Sequence, residues 1–242
     1  MDQIRKINRA KDFRIDCVNA LLDCLKPEDN FHDSFEIDYF FKADVQLFLR
    51  DETYNVCEGD MFFIGEFDIH KVICAPGDDY IRFVINFKRS FMEDVLRSMD
   101  MSVILDDLDR LKSSRIKLSP KRRKEVRYAF QKLVSQSAKM DDPYTESRIK
   151  LQTAQFLMSI SEYIKDSPKD NEANVQSLLV KKIIGYVDDN HDKTITPDYL
   201  EEWLSISKYH ISRVFERTTG FTITEYLKTR RAIEAQNRLV NS

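Results

Sequence analysis

Glycine and proline are scarce, 5 and 6 among 242 residues. That scarcity excludes collagen-like and low-complexity chains and leaves no glycine-rich loop to cradle a phosphate. No run approaches the roughly 18 apolar residues that a membrane-crossing helix needs. The opening stretch, MDQIRKINRAKDF, has no apolar core of a secretion signal. A cytoplasmic protein with no membrane partner is the expectation. A basic excess is missing too: 38 Lys and Arg face 41 Asp and Glu, a formal net charge of -3. This excludes a uniformly basic nucleic-acid coat but not a local basic patch. The four cysteines, Cys17, Cys24, Cys57 and Cys74, include no Cys-x-x-Cys pair, so zinc-ribbon and thioredoxin-like spacing is absent. They are expected to be small apolar residues in or near the core, without disulfides. No nucleophile stands at readable spacing from a general base, and no zinc-protease or nucleotide-binding motif occurs. The chain is therefore expected not to be an enzyme.

What is present changes character twice. Ile15, Val18, Leu21, Leu22 and Leu25 recur at three- and four-residue spacing, which predicts a helix over 12–26 stopped by Pro27. From about 31 to 88 the period becomes two. Phe35, Ile37, Tyr39 and Phe41 alternate with Glu36, Asp38 and Phe40, and similar runs cover Val45–Leu49, Met61–Ile64 and Ile81–Phe87. Turn signals separate them at 42–44, 51–53, 58–60 and 76–79, the pattern of an antiparallel barrel or sandwich. From about 90 the strands are expected to stop. Helical spacing follows around Val103–Leu111, Val126–Val134 and Leu151–Ile164, and Ser167–Asn171 has the composition of a linker. The expected fold class is α+β: an antiparallel β-barrel domain over 1–90, a helical connector over 91–170 and an all-α domain over 171–242.

The last segment is the most informative. Leu178, Leu179, Ile183, Ile184 and Val187 begin it as an amphipathic helix. Thr196 is placed to cap the next helix, with Pro197 at its first position and Asp198 at the positive end of its dipole. Ser205-Ile206-Ser207 makes a tight break, and Ser207 can cap the helix after it. Gly220 follows that helix where a left-handed residue is wanted. Thr222 with Glu225 forms a capping box for a long final helix. Two short helices across a three-residue break, with apolar Leu200, Leu204, Ile206, Ile211 and Val214, constitute a helix-turn-helix. In that motif the first helix braces the second, whose outer face enters the major groove of double-stranded DNA. Arg213 suits guanine, Ser212 suits either kind of base edge, and Tyr209 suits a thymine methyl or a phosphate. From Ser207 to Ser242 seven basic residues, Arg217 among them, face three acids, a local balance that attracts phosphate.

The run SKYHISRVFERTTGFTITEYLKTRRAIEA resembles the DNA-binding domain of AraC/XylS-type transcription regulators in Ser207, Ser212-Arg213, Phe215, Gly220, Tyr226-Leu227, Arg231 and Ala235. The resemblance covers about 180–242. It implies that Lys208, Tyr209, Ser212 and Arg213 face bases and that Arg231 and Ala235 are structural. Glu201 departs from it by standing where the family has Ala, so it must tilt outward or find a partner. The family's second helix-turn-helix is expected to be lacking, because 242 residues end where its linking helix would lead into it.

The segments FHDSFEIDYFFKADVQLFL and EGDMFFIGEFDIHKV resemble the cupin-like sensor domain common in such regulators. The resemblance implies an effector pocket near His32, Glu36, Tyr39 and His70. Asn30, His32, Glu36 and His70 occupy the positions that carry three His and a Glu in metal-binding cupins. Three donors can hold a metal with open sites, and an iron or manganese enzyme is the corresponding alternative. The favoured reading is a hydrogen-bonded polar group with no metal and no cofactor. Aromatic residues from the alternating runs either line a pocket for a small organic effector or simply fill the interior. Between Lys112 and Lys132 nine basic residues accompany one acid, either a second phosphate-binding patch or, as favoured, a solvated helix face. The apolar stripe Leu151–Ile164 is either a buried helix or the surface through which two copies pair into a homodimer. The leading expectation is a dimeric, effector-responsive, sequence-specific transcription regulator. The alternative is a truncated interaction protein that pairs with a full-length relative and inhibits it.

Overall fold

A computed structural model of the chain describes residues 5–10, 12–19, 31–74, 78, 80–111, 113–138, 142–166 and 178–240. The strands are β1 (Arg5–Ala10), β2 (Phe13–Asn19), β3 (Phe35–Lys42), β4 (Asp44–Leu49), β5 (Glu52–Cys57), β6 (Met61–Ile64), β7 (His70–Ile73), β8 (Ile81–Phe87) and β9 (Ser114–Ile116). The helices are α1 (Arg89–Ser98), α2 (Val103–Leu111), α3 (Pro120–Ser137), α4 (Thr145–Asp166), α5 (Leu178–Asp189), α6 (Pro197–Leu204), α7 (Lys208–Thr219) and α8 (Ile223–Val240). A six-stranded sheet runs in the order β1-β2-β8-β3-β6-β9 and a three-stranded sheet in the order β5-β4-β7. Every pairing is antiparallel.

Alternation along the strands builds four layers. Odd-numbered residues of the large sheet, such as Ile15, Ile37, Tyr39, Phe63 and Ile85, pack against α1 to α4 in one apolar cluster. Even-numbered ones, such as Val18, Phe40, Phe62 and Val84, pack against Leu47, Leu49, Tyr54 and Val56 of the small sheet. Phe48 and Ile69 leave the small sheet on its other side and join a third cluster built from α5 to α8. The layer order is therefore helices, six strands, three strands, helices.

Several expectations are corrected. First, the β portion is not a closed barrel: among the described residues no strand of one sheet pairs with a strand of the other. Period-two patterning is common to barrels and sandwiches, so it could not decide between them. Second, residues 13–19 of the predicted helix form β2 instead, paired residue for residue with β8 from Phe13 opposite Phe87 to Asn19 opposite Ile81. Buried Phe13 and Ile15 point to the helices, while buried Asp16 and Val18 point to the small sheet. Burial on both faces hid the alternation. Residues 20–26 lie outside the described residues, as does the linker at 167–171. Third, Cys57 is an exposed thiol and Cys17 a half-buried one, whereas Cys74 is disulfide-bonded.

Strands do not stop at 90, since Ser114–Ile116 adds β9 beside β6. No helix among the described residues is long and apolar enough to cross a membrane. Most of the stripe on α4 is core: Ala154, Phe156, Leu157, Ile160 and Tyr163 are buried, while Leu151 and Met158 are 51% and 43% exposed. Several cations of the 112–132 run are engaged within the molecule. Arg115 pairs with Asp60 at 2.8 Å, Arg127 pairs with Glu58 at 2.7 Å, and Arg122 lies over the Tyr163 ring.

Candidate functional site

Local signals set the helix-turn-helix. The Thr196 hydroxyl accepts from the Tyr199 N–H at 3.1 Å, with Pro197 first in α6 and Asp198 in its opening turn. Ser205 then takes a left-handed conformation, φ 54° and ψ 37°, which ends α6 and reverses the chain. Ser207 accepts from the His210 N–H at 3.4 Å to begin α7, and Gly220, φ 73°, ends it. The capping box of α8 is reciprocal: the Thr222 N–H donates to Glu225 Oε2 at 2.8 Å and the Glu225 N–H donates to Thr222 Oγ1 at 3.2 Å. Leu200, Ile211 and Phe215 are buried with Val180, Ile183, Val187 and Tyr226. That packing props α7 from behind.

The opposite face of α7 is open. Tyr209 is 80% exposed, and Ser212, Arg213 and Arg217 are exposed beside it. Lys208 stands on the same side, tethered to Asp198 of α6 at 2.5 Å. The structure thus brings all five sequence-derived DNA-contact residues onto one helix. Exposed His210 and Glu216 share that surface and were not singled out from the sequence. Glu201 is half-exposed and so tilts outward. Arg231 fastens α8 to the turn after α5, donating to the carbonyls of His191 at 2.6 Å and Lys193 at 2.7 Å. Ala235 is exposed.

The C-terminal end of α7 is anchored to the small sheet. Thr53 Oγ1 of β5 donates to the Thr218 carbonyl at 2.7 Å. Lys71 of β7 donates to the Gly220 carbonyl and lies 4.7 Å from the Phe221 ring centroid. Phe48 of β4 packs edge-on against Phe221 and Tyr226.

A second site lies between the two sheets. His32, Glu36 and His70 converge there, with candidate ligand atoms within 4.8 Å of one another. His32 Nε2 is 3.0 Å from Glu36 Oε2, and His70 Nε2 is 3.7 Å from Glu36 Oε1. Asn86 Nδ2 donates to Glu36 Oε2 at 2.5 Å and lies 3.3 Å from His32 Nε2. Arg82 sits 3.7 Å from Glu36 and 2.6 Å from Asp38, and Arg14 pairs with buried Asp16. Burial opposes the Glu36 charge, but His70, His32 and Arg82 outweigh it and hold that carboxyl well below its usual range. Burial and the Glu36 charge push Asp38 well above its usual range despite Arg82. Burial lowers His70. For His32 burial also acts downward, but Glu36 prevails and raises it.

Tyr39 does not join this group. Its odd position turns it to the helix side of β3, where it is fully buried, stacks on Phe130 and accepts from Arg127 Nε at 3.1 Å. Sequence reasoning missed Asn86, Arg82, Asp38 and Asp16. Their signal was polar residues at every second strand position, ordinarily read as a solvent face. Here a second sheet covers that face.

No family profile matches the chain. It is similar to HTH-type transcriptional regulators. The multiple antibiotic resistance protein MarA of Salmonella typhimurium is 25% identical over 69 residues, 28% of this chain and 54% of that protein. The chain thus spans about half the length of that relative. The uncharacterized HTH-type transcriptional regulator YbfI of Bacillus subtilis is 22% identical over 213 residues, 87% of this chain and 73% of that protein. Among solved structures, apo ToxT from Vibrio cholerae aligns with 92% of this chain and 99% of its own at 13% identity and TM-score 0.42. The AraC-like transcriptional activator CuxR covers 93% of this chain and 77% of its own at 12% identity and TM-score 0.32.

Proposed function

We propose that the chain is a sequence-specific DNA-binding transcription regulator of the AraC/XylS type, acting in the cytoplasm, with α7 as its recognition helix. The observation that carries this is the open face of α7, with Tyr209, Ser212 and Arg213 in solvent on a helix capped at both ends and braced by α6. Similarity to HTH-type regulators supports the same reading. In the major groove Arg213 pairs with guanine O6 and N7, Ser212 reaches a neighbouring base edge, and Tyr209 touches a thymine methyl or phosphate. Lys208 and Arg217 flank them and hold phosphates. The polar group between the sheets is the effector site in this proposal, and the anchored end of α7 is where its state reaches the DNA-binding surface. A second copy pairs through the exposed Leu151 and Met158 of α4 and places two recognition helices on one duplex.

A binding selection on random duplex DNA tests the reading. The wild-type chain enriches a motif. Arg213→Ala loses preference at one base pair, at a cost of about 1–3 kcal/mol, while its melting temperature stays put. An unenriched wild-type pool, or an unchanged motif in the variant, removes the proposal.

A further inference from the structure

Between the small sheet and the helical unit lies a cleft of about 300 Å3. The β4–β5 turn and Asp68 form one wall, and α5 and α8 form the other. Helical spacing builds the second wall. Lys181, Ile184, Gly185 and Asp188 recur at three- and four-residue steps along α5, and Tyr226 and Arg230 stand one turn apart on α8. Ile69, Ile184 and Tyr226 are buried at the floor. Arg50, Asp51, Lys181 and Gly185 are exposed at the rim.

Two residues in these walls go against local preference. Gly185 stands inside α5, where glycine is among the least favoured residues. A Cβ added there would meet nothing within 4 Å, so no packing demands the glycine, and its bareness keeps the cleft open. Arg50 has φ 60° in the two-residue turn between β4 and β5, a place that hairpins ordinarily give to glycine. Its N–H donates to the Ile69 carbonyl at 2.7 Å, which fixes it at the cleft wall. Local rules broken without a packing gain mark functional positions.

The charges in the cleft are balanced but incompletely used. Three cations, Arg50, Lys181 and Arg230, accompany three acids, Asp51, Asp68 and Asp188. Arg50 pairs with Asp68 at 3.4 Å. Arg230 Nε is buried 2.8 Å from Asp188 Oδ1, close enough for charge attraction, yet makes no hydrogen bond. Lys181 Nζ stands 3.9 Å from Glu52, beyond hydrogen-bond reach. The Asp51 carboxylate has no ion-pair or hydrogen-bond partner among the described residues. Burial raises the Asp188 carboxyl despite Arg230, and the Asp51 charge adds to that rise. A cation between Asp51 and Asp188 relieves the repulsion. A bare anion would meet three carboxylates here, and a bare cation would meet three cations. A neutral ligand carrying both charges satisfies each set. At roughly 30 Å3 for each non-hydrogen atom, the cleft holds about ten of them.

We propose that this cleft binds a free amino acid. Its carboxylate sits on Lys181 and Arg230, its ammonium between Asp51 and Asp188, and its side chain over Ile69 and Ile184. Bound there, it ties the small sheet to α5 and α8 and stabilises the folded chain by mass action. No lining residue belongs to α7 or to the group of His32, Glu36 and His70. Binding here and DNA recognition therefore stand or fall separately.

Each standard L-amino acid is added separately to the full-length chain, and melting temperature and calorimetric heat are recorded. At least one raises the melting temperature and binds saturably with one equivalent. Acetate and methylammonium, which each carry one of its charges, do neither. Gly185→Leu puts a side chain into the cleft, and leucine is a better helix former than glycine. That variant keeps its melting temperature and binds the amino acid more weakly by about tenfold or more. Lys181→Gln and Asp51→Asn, both at the exposed rim, each weaken binding by about tenfold. Absence of saturable binding of any amino acid to the wild type overturns the proposal, and this needs no variant to fold. Binding that Gly185→Leu, Lys181→Gln and Asp51→Asn all leave intact also overturns it, because the ligand then sits elsewhere. Acetate or methylammonium binding as tightly as the amino acid overturns the assigned ligand class.

Discussion

At the scale of single residues, the chain's most exacting positions are helix ends. Thr222 and Glu225 satisfy each other's backbone N–H groups, so Thr222→Ala should destabilise the protein by about 1 kcal/mol in urea titrations. The Thr222 N–H holds the Glu225 carboxyl below its ordinary 4.5. A depressed carboxyl stabilises fully above its unfolded value and ceases to as pH falls through its lower folded value. The difference between wild type and Glu225→Gln should therefore be constant near neutrality and shrink below about pH 4.5. Gly220 is constrained twice. Its φ is 73°, and an added Cβ would meet Ile73 Cγ1 and Lys71 Cδ at 3.1 Å. Gly220→Ala should cost at least about 1–2 kcal/mol by the same measurement. These ends were legible in the sequence because a cap depends on residues no more than four apart. The interior polar group was legible only in part, since Asn86 meets Glu36 fifty positions away.

At the scale of elements, legibility followed the number of faces buried. Strands β3, β4, β6 and β8 stood out through their apolar alternation, and α4 to α8 through their three- and four-residue spacing. Strand β2 was mistaken for a helix because Asp16 and Val18 are as buried as Phe13 and Ile15. Strands β5 and β7 carry polar residues toward solvent or toward α7, so they lack a run of apolar residues to announce them. Yet β4, β5 and β7 are the elements that seat the helical unit. Phe48 is fully buried between them and Phe221 and Tyr226. Phe48→Ala should cost about 3–5 kcal/mol. Hydrogen exchange should then quicken in the last turn of α7 before it does in α1 to α4, because those helices belong to a different core. Uniform acceleration across both would count against separate packing units.

At the scale of the whole molecule, a formal net charge of -3 coexists with a basic α7 surface. DNA affinity should therefore fall steeply with salt. Arg217→Ala should weaken all sequences alike and flatten the log–log slope by about one. The proposed dimer predicts that Leu151→Glu moves sedimentation toward the monomer without lowering stability, since Leu151 is exposed while its neighbours on α4 fill the core. The same whole-molecule view joins the interior to the exterior through β7. His70 opposes Leu49 and points between the sheets, whereas Lys71 opposes Phe48 and points at Gly220. One peptide bond separates them. Within the proposed regulator, an effector that moves His70 therefore moves, through that shared backbone, a lysine whose ammonium holds the carbonyl at the C-terminal end of α7.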